Sequence, residues 1–213
     1  SNNSWTNSGY TQILFDAVKR AQTQGHIFVA AAGNNGRNID VTPVYPASFN
    51  LDNVISVAAS DRYDRLAKFS NYGTKVDIAA PGVDIYSTNP NKGYGFRSGT
   101  SMATPHVAGV ITLVWTLRPE WNYKQVINWV KFTADRVPAM AGLVASGQLN
   151  AGAAVRVPPR GTPMPAEITQ PGSVTPAALA GSALPSSLVP QGVALKPSAY
   201  LATVNQTTDS PLL

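Results

Sequence analysis

Apolar residues along the first three quarters of this chain fall into two alternating rhythms. Leu14, Ala17, Val18 and Ala21 follow the i, i+3, i+4, i+7 spacing of a helix with one apolar face. Ser8 is placed to cap that helix and Gly25 to stop it, so the spacing predicts a helix over 9–24. The run Ile27-Phe28-Val29-Ala30-Ala31-Ala32 is apolar without alternation, the mark of a strand covered on both faces. A second such run, 54–59, follows a loop holding Pro43 and Pro46, and a third short strand is expected over 76–79, before Pro81-Gly82. Residues 102–117 are apolar nearly all round, which predicts a helix running through the core. Val126, Trp129, Val130 and Thr133 give one more amphipathic helix, with Asn122 as its cap and Gln125 at the third position. Buried strands alternating with helices imply an α/β protein built on a parallel sheet.

The pattern stops near residue 156. Residues 157–213 are rich in Pro, Ala, Ser and Thr, and Arg160, Glu167, Lys196 and Asp209 are their only charges. Prolines recur there too often for a helix or an interior strand to persist, and the segment lacks apolar surface to offset chain entropy. It reads as a disordered tail following a domain of residues 1–156. Asn205-Gln206-Thr207 within it is either a glycosylation acceptor or a chance triplet.

Because those four tail charges cancel, the net charge of +5 belongs to the first 156 residues. Its carriers, among them Arg37, Arg62, Lys75, Arg97 and Arg118, are scattered rather than clustered, which argues against a nucleic-acid partner. No stretch approaches the 18 or so apolar residues that a membrane span needs. Zero cysteines exclude a disulfide framework and a thiolate metal site.

The segment with most chemistry is Ser98-Gly99-Thr100-Ser101-Met102-Ala103-Thr104-Pro105-His106-Val107-Ala108-Gly109. It sets a serine where a glycine-containing turn enters a long apolar helix, so Ser101 meets the unpaired N–H groups and positive dipole end of a first turn. Such a place suits an oxygen that attacks a carbonyl and leaves negative charge beside it. Residue types alone leave two readings open, a nucleophile or a capping serine on a core helix. Asn34, ahead of Asn35-Gly36, is likewise either a hydrogen-bond donor to a developing charge or a turn asparagine.

The string from Gly99 to Gly109 resembles the nucleophile motif of the subtilisin-like (subtilase) serine peptidases. Ala30-Ala31-Ala32-Gly33-Asn34, then Tyr45-Pro46-Ala47-Ser48, then Phe69-Ser70-Asn71-Tyr72-Gly73 and Ala80-Pro81-Gly82-Val83 are similar to further family segments in the same order, and Gly147-Gln148-Leu149-Asn150-Ala151 to its closing segment. The α/β-hydrolase elbow fits less well, since Ala103 stands where its last glycine should be. The resemblance covers about residues 1–156 and implies a subtilisin-like three-layer fold with a central parallel sheet. It implies peptide-bond hydrolysis through an acyl-enzyme on Ser101, with Asn34 in the oxyanion hole. Ser4, Trp5 and Thr6 would form one wall of the substrate cleft, Ala31, Ala32 and Gly33 the other, with Thr100 also at the substrate. Many relatives carry glycine where Thr6 stands, so a side chain there would either narrow the cleft or perturb edge-strand binding.

The family's triad runs Asp, His, Ser, and the first two should precede Asn3. Of the two histidines, His26 follows Gly25 at a strand start and His106 is five residues past Ser101, turned away from the nucleophile's face. The expectation is therefore a C-terminal portion of the catalytic domain, with the N-terminal half absent and no activity by itself. The rival reading is a non-catalytic pseudopeptidase serving as a binding or scaffolding module. The resemblance further implies polypeptide substrates, secretion, a monomer and no cofactor for the chemistry. A structural calcium ion in the parent protein is compatible with it. Asp77, with carbonyls near Ala47 and Phe49, lies where some relatives hold a weak cation, but one carboxylate beside Lys75 makes a poor cage.

Overall fold

The computed structural model describes residues 1–90 and 93–161. Four parallel strands form its sheet in the order β1 (Asn2–Asn3), β2 (Phe28–Ala31), β3 (Val54–Ser60), β4 (Ile78–Pro81). Phe28 pairs with Val54 and Val57 with Ile78. Every residue of β3 is buried, which is why its sequence shows no alternation. A parallel strand with helices on both faces has no solvent side to spend polar residues on.

Two helices make the outer layers. Helix α1 (Gln12–Thr23) lays Leu14, Phe15 and Val18 on a core with Ala30, Ala32, Val54, Ala58 and Ala79. Since side chains alternate along a strand, Val29, Ala31, Ile55 and Val57 face the other way. On that side lies α2 (Thr100–Leu117), which packs on β2, β3 and β4. Helix α1 starts later than its periodicity suggests. The Asn7 backbone is bonded to Tyr45 in both directions and its side chain accepts from Gly9 N, so the chain stays in a turn until the Thr11 cap. Strand β4 likewise begins two residues late, after Asp77 has bonded to Ser56.

Helix α2 does not thread the core. Ala103, Val107, Val110, Ile111 and Val114 are buried, while Leu113 and Leu117 on the opposite flank are exposed. Helix α3 (Tyr123–Phe132) has the expected capping box, with Asn122 Oδ1 accepting from Gln125 N and Gln125 Oε1 from Asn122 N. Between these helices Arg118 is fully buried. It donates to Glu120 and to the carbonyl of Pro159, and stacks 5.0 Å from the Trp121 ring centre. The described chain thus stays attached to the core past residue 156, through a 3-10 turn (Pro138–Met140) and α4 (Ala151–Ala154). The expected tail, with its glycosylation triplet, lies from residue 162 onward outside the described residues. A two-stranded antiparallel hairpin, β5 (Ile85–Asn89) and β6 (Gly93–Arg97), stands apart from the main sheet and was not anticipated.

Loop closure behind the sheet runs through Asp40, whose carboxylate accepts from Thr74 N at 2.6 Å and Lys75 N at 2.9 Å. Burial works to raise its pKa, but the N–H groups of Thr74 and Lys75 outweigh burial and hold it below the ordinary aspartate value. A depressed folded value means the unfolded chain binds the proton more tightly. The contribution is therefore present above the ordinary value near pH 4 and is lost as pH falls through the folded one. Asp40→Asn should melt below wild type at pH 7, with the gap closing below pH 4. A gap independent of pH in thermal melts would contradict this.

Candidate active site

Strand β2 ends at Ala31 and the chain turns at Gly33, whose φ of +99° is a left-handed conformation suited to glycine. A Cβ there would also lie 2.5 Å from the Asn71 amide nitrogen. Asn71 is completely buried and organises the turn. Its Nδ2 donates to Ala32 O (2.8 Å), while its Oδ1 accepts from Asn35 N (3.0 Å) and Arg37 N (3.1 Å). The turn thereby lifts Asn34 into solvent. Asn71 stood within a family-like string, but nothing in that string marks it as the turn's organiser.

The two residues singled out for chemistry come together. Asn34 Oδ1 accepts from Thr100 N at 2.8 Å and from Thr100 Oγ1 at 2.9 Å, and Thr100 Oγ1 accepts in turn from Gly33 N at 3.2 Å. With its oxygen held from two sides, the carboxamide turns Nδ2 toward Gly99. A Cβ added to Gly99 would sit 3.6 Å from Asn34 Nδ2 and 3.7 Å from Ser101 N. One small space is thus bordered by a side-chain donor and a first-turn backbone donor. Thr100, expected against a substrate, has no exposed surface, and its hydroxyl is spent on Gly33 and Asn34.

Ser101 is half-buried in the first turn of α2, and its hydroxyl donates to Ser4 O at 3.1 Å. The link runs both ways. Pro105 sits in the second turn and has no N–H for the Ser101 carbonyl four residues back. Ser4 Oγ takes that carbonyl instead, at 2.8 Å. Segment 4–6 is pinned at its two ends by the pairing of Asn3 with Ala30 and of Asn7 with Tyr45. Trp5 is 44% exposed and Thr6 is exposed beside it. The residues of the other expected wall, Ala31, Ala32 and Gly33, are buried within the sheet and its turn.

Neither histidine serves Ser101. His106 Nδ1 donates to Met102 O at 2.9 Å, and His26 lies against Ser1. Burial lowers the His26 pKa.

The expected cation position does not fit a metal ion. Asp77 Oδ1 is held by Lys131 Nζ at 2.6 Å and Oδ2 by Ser56 N at 2.8 Å, in a cleft of about 810 Å³ that Ala47, Phe49 and Lys75 also line. A tethered ammonium occupies the carboxylate that a metal would need. Among the described residues no group of three or more His or acidic side chains is arranged to hold a metal.

The Subtilase family model matches residues 1–163. The chain belongs to the subtilase family. It is 45% identical over 141 residues to a thermophilic serine proteinase of Bacillus sp. (strain AK1), which covers 66% of this chain and 33% of that protein. It is 44% identical over 151 residues to thermitase of Thermoactinomyces vulgaris, covering 70% of this chain and 50% of thermitase. Among solved structures, one of the proteases from Pseudoalteromonas arctica PAMC 21717 superposes with a TM-score of 0.66 at 32% identity, over 72% of this chain and 49% of that one. The chain thus spans a third to about half the length of these relatives. No helix among the described residues is long and apolar enough to cross a membrane.

Removing the Asn71 amide leaves one buried and two partly buried backbone groups without that partner. Asn71→Ala should cost roughly 2–4 kcal/mol in urea unfolding; a loss below about 1 kcal/mol would contradict the role given to it. Lys131→Met should lower the melting temperature, and millimolar calcium chloride should not restore it, because one carboxylate makes a poor cage. Wild type should not respond to calcium, and a wild-type melting temperature that rises with it would refute the tethered-cation account.

Proposed function

We propose that this chain carries the nucleophile and oxyanion hole of a serine endopeptidase, and that the general base and its orienting carboxylate come from residues outside these 213. One observation carries the reading. Thr100 grips the oxygen of Asn34, so that the amide nitrogen and the Ser101 backbone nitrogen border the same space above Gly99. That arrangement matches what a tetrahedral intermediate requires, two N–H donors on one developing oxyanion.

In this reading Ser101 Oγ attacks the scissile carbonyl carbon and its proton passes to the external base. Negative charge collects on the carbonyl oxygen between Asn34 Nδ2 and Ser101 N. Collapse expels the amine, which takes the proton, and leaves an acyl-enzyme that water cleaves. The hydrogen bond from Ser101 to Ser4 O is a resting contact that the base replaces. Ser4, Trp5 and Thr6 line the cleft on one side, and the substrates are polypeptides. The protein works outside the cell, in keeping with the family resemblance.

The test uses the full product of the gene. A serine-directed phosphonate should label Ser101, and Ser101→Ala should abolish both labelling and peptide hydrolysis. Asn34→Ala should lower kcat about 10²- to 10³-fold with KM little changed, a magnitude itself measured on a subtilisin. The 213-residue chain alone should be inert. A full-length product that binds polypeptides but neither hydrolyses them nor reacts with the phosphonate would favour the binding-module reading.

A further inference from the structure

The hairpin β5–β6 carries its apolar residues on the wrong side. In its register Tyr86 faces Phe96 and Thr88 faces Tyr94, so these four share one face. The opposite face holds Ile85, Asn89, Gly93 and Gly95, all partly buried, together with Ser87 and Arg97, which are exposed. Three aromatic rings thus point to solvent while two glycines point to the protein. Tyr86 stacks on Tyr94 with centroids 6.1 Å apart and planes 22° apart, and lies 5.0 Å from Phe96. Ring-to-ring packing does stabilise a hairpin. It does not account for this face, because the rings stay 61%, 67% and 69% exposed after packing on one another. A cluster of bulky rings left mostly in water is a surface awaiting an occupant.

The hairpin is joined directly to the nucleophile turn. Phe96 lies five positions before Ser101, which bounds their Cα separation at about 18 Å. The link is fixed: Gly99 N donates to Gly82 O at 2.7 Å, Asp84 N donates to Ser98 Oγ at 2.9 Å, and Arg97 Nε donates to Asn89 Oδ1 at 2.7 Å. A Cβ at Gly95 would lie 2.6 Å from Asn89 Nδ2, so the inward glycine makes room for the residue that holds Arg97. The base of the hairpin is therefore hydrogen-bonded to the turn that carries Ser101.

We propose that Tyr86, Tyr94 and Phe96 form an aromatic platform that receives apolar side chains of the polypeptide substrate several residues from the scissile bond. This rests on the peptidase reading given above and names the substrate class that the site prefers. An extended peptide advances about 3.3 Å per residue, so roughly five residues reach from the reacting carbonyl to the rings. The occupant is a polypeptide rather than a carbohydrate because the platform continues a cleft already bordered by peptide-matching groups at Ser4 and Asn34.

Binding, not turnover, tests it, which separates its failure from failure of the peptidase reading. The probe is a fluorescein-labelled ten-residue peptide alternating Ala and Phe, with an Ala–Ser peptide as its partner, and the readout is anisotropy with the 213-residue chain. The Ala–Phe peptide should bind at least about ten-fold more tightly than the Ala–Ser one, as for aromatic contacts at other interfaces. A five-residue Ala–Phe peptide should lose most of that advantage. The triple variant Tyr86→Thr, Tyr94→Thr, Phe96→Thr keeps strand-forming residues and should abolish the preference. Tyr86→Phe with Tyr94→Phe keeps the rings and should retain it, which covers the case in which the triple variant fails to fold. Equal binding of the two long peptides overturns the proposal, as does tighter binding of a soluble β-glucan than of the Ala–Phe peptide. So does an unchanged preference in a folded triple variant. Phosphonate labelling of the full-length product is read separately, so either reading can fall without the other.

Discussion

A carboxamide can present its oxygen or its nitrogen to a site, and at Asn34 the choice belongs to Thr100. Two donors from one buried residue converge on Oδ1, and reversing the amide would set N–H against N–H and O–H. Thr100 can do this because it starts α2, where its own N–H has no helical acceptor and is free to donate sideways. The nucleophile is the next residue along. The helix start that exposes Ser101 also supplies the backbone donor at Ser101 N and, through Thr100, aims the side-chain donor at Asn34. Displacing the β2 turn would misalign all of these together, which is why a buried residue as distant in sequence as Asn71 belongs to the site.

The sheet was legible because its chemistry is simple. Strands β2 and β3 are covered on both faces, and such strands must be apolar throughout, so 27–32 and 54–59 announced themselves. The α3 capping box was legible for a related reason: its partners are three residues apart. What sequence concealed was non-local or inverted. Lys131 and Asp77 are 54 residues apart, and nothing along the chain says that they meet. Thr100 and the alanines of β2 belong to strings that suggest substrate contact, yet all of them are buried. The β5–β6 hairpin does show a period of two, with Tyr94 and Phe96 alternating with Gly93 and Gly95, but its apolar face looks outward, against the ordinary assumption.

Proline 105 shows how one missing donor can tie a site together. In most helices the carbonyl four residues before a proline is left short of a partner, and the helix bends or takes up water. Here the orphaned carbonyl is that of Ser101, and the hydroxyl that satisfies it comes from the strand expected to hold the substrate. Nucleophile and cleft wall are thus bonded through a defect in the helix, and the same two residues exchange a second hydrogen bond through the Ser101 side chain.

Arg118 gives the chain a fixed point of departure. It stands seventeen residues beyond Ser101 on the same helix axis, about 25 Å away at 1.5 Å per residue, and holds the Pro159 carbonyl at 2.7 Å. Polypeptide joined after that tether starts at the end of α2 remote from the cleft. A cargo module fused there would begin well clear of the mouth through which a target must approach.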